Sequence, residues 1–215
     1  MNTQKKSAPY IVLDGLDGCG KGTQLGLLMA RAEIEGSTCI LTREPGGAPL
    51  SESLRELFKS PEGVAASALT QFLMMWASRR NYLETVVWPA LDHGLPVFSD
   101  RGDSSTIAYQ IYAKAAPELE AEFWKMRKLV FGNREPDLYI ILAVPPSVAR
   151  DRALADKEHT SAFDVSPIEW YERVNQGFLA FAKAIPHQVV FVDGTRSPEE
   201  VHDDVSRIVA RYCNW

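Results

Sequence analysis

The stretch Gly15-Leu16-Asp17-Gly18-Cys19-Gly20-Lys21-Gly22-Thr23 constrains the fold more than any other part of the chain. It follows a short apolar run, Tyr10-Ile11-Val12-Leu13, that reads as a buried strand. It precedes Gln24 to Glu35, where Leu25, Leu28, Met29 and Ala32 recur at helical spacing. Strand, glycine-rich turn and helix form the setting in which G-x-x-x-x-G-K marks a phosphate cradle. Gly15, Gly18, Cys19, Gly20, Gly22 and Thr23 offer backbone N–H groups to phosphate oxygens, and the helix N-terminus adds partial positive charge. Lys21 supplies a mobile cation for the β- and γ-phosphates of ATP. The hydroxyl usual after the lysine is displaced by one position, because Gly22 precedes Thr23. Mg²⁺ is therefore expected through Thr23, through water, or with help from another carboxylate.

The rest of the chain alternates strands and helices. Strands are expected at Thr38–Leu41, Leu95–Ser99, Asp137–Val144 and Gln188–Val192. Helices are expected from Pro49 to about Lys59, Ala66 to about His93, Glu118–Phe131, Ser147–Ala155, Ile168–Ala184 and Pro198 to about Tyr212. The polar stretch from Asp156 to Ser166 lacks apolar periodicity and reads as a lid. The predicted fold class is α/β: a five-stranded parallel sheet with helices on both faces, in one domain over residues 1–215. At 215 residues the chain can bury a sizeable core.

In such a sheet, ligands sit beyond the carboxyl ends of the strands. That directs attention to Thr42-Arg43-Glu44-Pro45-Gly46-Gly47 and to Asp100-Arg101, each directly after a predicted strand. Asp100 can hold Mg²⁺ directly or through water, and Arg101 can meet a phosphate bidentately. On the long helix, Met75 and Trp76 fit core packing, while Arg79 beside them suits the polar edge of a planar base. The net charge of -5 gives no reason to expect a nucleic-acid partner. Cys19, Cys39 and Cys213 are odd in number and far apart, which suggests a reducing, cytoplasmic setting. No apolar leader and no run of 18 apolar residues appears, so neither export nor a membrane partner is expected.

The chain resembles the thymidylate kinases of the P-loop nucleoside monophosphate kinase group over nearly its whole length. The stretches that carry the resemblance are Leu13-Asp14-Gly15-Leu16-Asp17-Gly18 through Thr23, Thr42 through Gly47, Ala77-Ser78-Arg79, Asp100-Arg101 with Ser105-Thr106-Ile107-Ala108-Tyr109-Gln110, and Pro136-Asp137-Leu138. The resemblance implies transfer of the ATP γ-phosphoryl group to dTMP with Mg²⁺, in a homodimer. By matching positions it places Asp17 near the acceptor's sugar and phosphate, and Arg43 and Arg101 on that phosphate. Arg79 would donate to the thymine edge, Pro45 would line the base pocket, and Ser105 and Thr106 would contact the base edge. Tyr109 would pack under the deoxyribose, and Asp100 would help hold the metal.

Departures from the family pattern are local. The aromatic residue that stacks on thymine in many members aligns with Met75, with Trp76 one place later, so either is a candidate platform. Gly102 replaces a bulkier residue, which would enlarge the pocket. The lid lacks the family's Asp-Arg-hydrophobic-Glu run, showing Ser161-Ala162-Phe163-Asp164 instead, and the phosphate loop holds no arginine. The transition-state cation must then come from Arg150, Arg152 or Lys157, with Arg152 preferred; Arg152 would equally suit a place against adenine. Alternative readings are a kinase for another or a 5-modified deoxypyrimidine monophosphate, an adenylate-type kinase suggested by Gly20-Lys21-Gly22-Thr23, and a nucleotide-binding protein without turnover.

Overall fold

The computed structural model describes residues 8–155 and 166–213. The expected lid therefore lies outside the described residues apart from Ser166, and Lys157 falls with it. Five parallel strands form one sheet in the order β2-β3-β1-β4-β5. They are β1 (Tyr10–Gly15), β2 (Ile40–Arg43), β3 (Val97–Asp100), β4 (Leu138–Ala143) and β5 (Val189–Asp193). The two central apolar runs are buried along most of their length, as strands covered on both faces require. The edge strands β2 and β5 alternate or expose side chains. β2 starts two residues later than its apolar run suggested, because Ile40 and Arg43 align with Val97 and Asp100 of β3.

Helices α1 (Lys21–Ile34), α2 (Pro49–Lys59), α7 (Glu120–Phe131), α8 (Pro146–Ala155), α9 (Ile168–Ala184) and α10 (Pro198–Val209) match the expected segments. Ser197 and Glu200 close a reciprocal capping box at the start of α10. The short α3 (Pro61–Ala65) was not foreseen; its five residues are too few for a periodic signal, although Ser60 accepts from the Gly63 N–H as its cap. The long helix divides into α4 (Ala68–Tyr82), a π-helical turn over Leu83–Val87, and α5 (Trp88–Asp92). Pro89 supplies the reason: it has no N–H for the preceding turn and its ring crowds that turn's carbonyl, which the wider π turn relieves. A three-residue α6 (Asp103–Ser105) continues into a second π-helical stretch, Thr106–Tyr112.

The crossover order reverses between β1 and its two neighbours, β3 and β4. A crevice opens at such a switch point, and here it is bounded by the glycine loop, the end of β3 and the start of α6. Behind it, a buried ion network braces α6 and α7 against the sheet. Arg127 Nε pairs with Asp103 Oδ2 at 2.9 Å, and the Tyr139 hydroxyl donates to Asp103 Oδ1 at 2.5 Å.

Candidate active site

The glycine loop takes backbone conformations open to few other residues. Gly15, Gly18 and Gly20 have φ of 139°, 80° and 100°. Gly18 is the tightest: a β-carbon there would lie 2.2 Å from the Ala149 carbonyl oxygen and 2.8 Å from the Ala153 nitrogen, so α8 closes directly on the loop. Gly20 caps α1 without any side-chain cap, and the first turn holds no acidic residue. The N–H groups of that turn thus keep their capacity for an anion. Lys21 is buried, its ammonium donating to the carbonyls of Leu16 (2.9 Å) and Gly15 (3.2 Å). Cys19 Sγ lies 3.7 Å from that ammonium, and burial pushes its thiol up, so it serves as a neutral packing group beneath the loop.

Beside the loop lies a cavity of about 300 Å³, within the range of small-ligand sites. One wall is an ion cluster. Arg101 pairs with Asp17 and donates to the hydroxyls of Ser105 (3.2 Å) and Tyr109 (3.3 Å). Tyr109 in turn donates to Asp17 at 3.0 Å. Burial alone would raise the Asp17 carboxyl, but Arg101, Lys21 and these hydrogen bonds outweigh it and hold the group below its ordinary value. Arg101 has a left-handed backbone, φ 69°, uncommon for a residue other than glycine and a form of strain concentrated at functional sites. Under the cluster sits Asp14, fully buried, accepting from Ser104 (2.6 Å), Ser105 (2.8 Å) and the Gly15 N–H (2.9 Å). The Ser105 hydroxyl is therefore committed between Asp14 and Arg101 rather than offered to a base edge.

The opposite wall is built around Arg79. Its Nε faces Glu44 Oε2 at 2.6 Å, its Nη2 donates to Thr106 Oγ1 at 3.0 Å, and its guanidinium carbon lies 4.5 Å from the Trp76 ring centroid. Trp76 is not an exposed platform. It is 1% exposed and packs against Phe72, Phe123 and Phe131, where its ring fills the core between α4 and α7. Met75 lines the cavity in its place, as does Pro45. The expectation about Gly102 also changes. It borders the cavity, yet a β-carbon on it would point at Val12, 3.0 Å from Cγ1, so the glycine serves close packing on β1.

Arg43 departs from its expected place. Its side chain is 52% exposed, pairs with Glu52 at 3.1 Å and does not line the cavity. Arg55, which the sequence reading passed over, does line it and donates to the Pro45 carbonyl at 2.7 Å. Burial, together with the charge of Arg43, pulls the Arg55 guanidinium below its ordinary value. Glu44, inside the loop singled out after β2 but given no role of its own, lines the cavity too. The signal for Arg55 was available: it lies on the same face of α2 as Ser51 and Phe58, which are buried. Arg152 reaches the cavity from α8 and donates to the Gly194 carbonyl at 2.9 Å.

At the end of β3, Asp100 Oδ1 is buried and has no hydrogen-bond partner, while Thr23 is exposed at the start of α1. Among the described residues, no group of three or more His, Cys, Asp or Glu could cage a metal. An orphan carboxylate oxygen beside a phosphate cradle fits Mg²⁺, which is held largely by phosphate and water with one or two carboxylates. No helix among the described residues is long and apolar enough to cross a membrane.

Comparison with known proteins agrees with this geometry. The thymidylate kinase family model matches residues 13–205. A thymidylate kinase of Neisseria gonorrhoeae (strain NCCP11945) is 35% identical over 200 residues, spanning 93% of this chain and 95% of that protein. One from Neisseria meningitidis serogroup A is 34% identical over 203 residues, spanning 94% and 97%. Among solved structures, thymidylate kinase from Ehrlichia chaffeensis superposes with a TM-score of 0.75 at 30% identity, covering 94% of this chain and 99% of that one.

Proposed function

The chain belongs to the thymidylate kinase family, and from that premise we propose that it transfers the γ-phosphoryl group of ATP to dTMP, giving dTDP. One observation carries the reading: a single cavity joins the phosphate loop, through Asp17 and Gly18, to a buried arginine suited to a base edge, Arg79. Donor and acceptor phosphates are both anionic, so the enzyme's task is positioning and charge neutralisation. The loop N–H groups and Lys21 hold the ATP phosphates. Arg55 and Arg101 hold the acceptor phosphate, with Arg43 in the supporting pair on Glu52. Asp17 accepts from the acceptor sugar, and the Tyr109 ring packs against it. Arg79 and Thr106 face the base, with Met75 and Pro45 along its apolar sides. Arg152 leaves the Gly194 carbonyl to meet charge on the transferring group. The acceptor oxygen is already ionised at neutral pH, so no general base is required. Asp100 and Thr23, with water, would hold Mg²⁺, which would supply charge neutralisation at the phosphate oxygens.

The reaction consumes ATP, in keeping with a cytoplasmic enzyme, and the chain works as one kinase domain with a lid over 156–166. A homodimer is supported by the exposed Leu50 and Leu57 of α2 and Leu69 and Leu73 of α4, all more than half exposed on helices that pack together. A panel of nucleoside monophosphates with ATP, run with and without Mg²⁺, tests the activity. Preference for dTMP and dependence on the metal are expected; equal use of AMP or the absence of any diphosphate product rejects the reading. A light-scattering mass near that of one chain rejects the dimer.

A further inference from the structure

We propose that Glu44 is the positioning residue that fixes Arg79 for reading the acceptor base, so that selectivity among monophosphates depends on its carboxylate. The inference rests on the reading of Arg79 as the base-facing donor and extends it to the group behind it.

Three contacts immobilise the guanidinium. Glu44 holds Nε, Thr106 accepts from Nη2, and the face lies on Trp76, itself clamped by aromatic neighbours. Nη1 and Nε are both buried without a hydrogen bond, on a side chain that borders the cavity; Nε has its ion pair with Glu44, and Nη1 has no such partner. A planar, donor-only group with one uncommitted nitrogen selects an acceptor atom, such as a ring carbonyl, and leaves an amino group unpaired. The choice of which nitrogen stays free is made by Glu44. Without an anion at Nε the guanidinium can swing about its last torsions, and burying an unpaired charge becomes costly.

Glu44 is itself held from the sheet. Its N–H donates to the Asp100 carbonyl at 2.9 Å, and the Tyr10 hydroxyl of β1 lies 3.4 Å from Oε1. The charged and titratable groups facing it are Arg79 and Tyr82 from α4, Tyr10 and Asp14 from β1, and Asp103 from α6. Burial pushes the carboxyl up to about 7; Arg79 opposes this, while Asp103 and Asp14 add to it.

Glu44→Gln tests this, because the amide keeps the shape and can still accept from Nε. The wild type is first run on a panel of dTMP, dUMP, dCMP and AMP to establish the preferred acceptor. On that acceptor, Glu44→Gln should raise KM about tenfold with kcat and the KM for ATP little changed, the loss of one buried ion-pair contact behind Arg79. The preference for dTMP over dCMP should narrow. In an Arg79→Met background the second substitution should add nothing. A wild-type panel without preference for dTMP overturns the functional reading. A normal panel with KM and selectivity untouched by Glu44→Gln overturns this inference, as does a loss spread equally over the acceptor and ATP.

Discussion

The donor loop and the acceptor cavity share one crevice but are built from different materials. The loop is backbone: three glycines at positive φ, an uncapped helix start, and one lysine resting on carbonyls. The cavity is side chains from the loops that follow β1, β2 and β3, from α2, α4, α6 and the following π-helical turn, and from α8, tied by ion pairs. The loop binds phosphate, which any nucleotide carries, and needs only directed N–H groups. The cavity must distinguish one nucleotide from others, which takes groups of fixed charge and angle drawn from several elements. Generality here is local in sequence, and selectivity is assembled by topology.

The comparison breaks most visibly at Lys21. Lys21→Ala removes the mobile cation of the loop and should lower kcat on the order of 10⁴-fold, by analogy with other cations at transferring phosphates. Its melting temperature should stay near that of the wild type, since the ammonium contacts only loop carbonyls and a neutral thiol. A drop below tenfold in steady-state kcat would mean that another cation does its work. On the cavity side the matching substitution is structural. Arg127→Met leaves Asp103 buried without its partner and should cost about 3–5 kcal/mol in denaturant unfolding. Because Asp103 anchors the turn that carries Ser105 and Thr106, the KM for the acceptor should suffer more than the KM for ATP. The converse ranking would show that the network serves the loop.

Gly18→Ala sharpens the comparison from the backbone side. The added methyl meets the Ala149 carbonyl and the Ala153 nitrogen, at a φ of 80° that alanine adopts poorly. Displacing α8 by about an ångström should reduce kcat/KM about 100-fold with either substrate varied. Retained activity would show that the loop tolerates a withdrawn α8.

These contrasts follow how much could be read beforehand. The loop, the five strands and most helices were legible because their signals are short-range: apolar runs, period, caps and glycines. Lys21, Asp17, Arg79, Arg101 and Tyr109 could be picked out as candidates because they lie at strand ends or within motifs. What failed was orientation. Trp76 and Met75 are adjacent on one helix, and only the packing of α7 decides that the larger ring turns inward. Gly102 looked like extra room until the direction of its missing β-carbon, toward Val12, was known. Glu44 and Arg79 are far apart in sequence and meet only when β2 and α4 are placed.

Arg43 and Arg55 provide the finest test of that point, because motif reading chose the first and geometry chooses the second. Arg43 is half exposed and held by Glu52, whose carboxyl is kept below its ordinary value first by the Gly47 N–H and then, against slight burial, by Arg43. An exposed pair of this kind is worth little, about 0–1 kcal/mol. Arg55 is partly buried in the cavity wall that Arg101 also lines. Arg55→Ala should raise the acceptor KM about 10- to 30-fold, the value of one charge-assisted phosphate contact. Arg43→Ala should raise it less than about threefold, with a weaker effect at high salt. Equal losses at the two positions would mean that Arg43 leaves Glu52 for the phosphate when the acceptor arrives, and the rim of the cavity would then belong to the site.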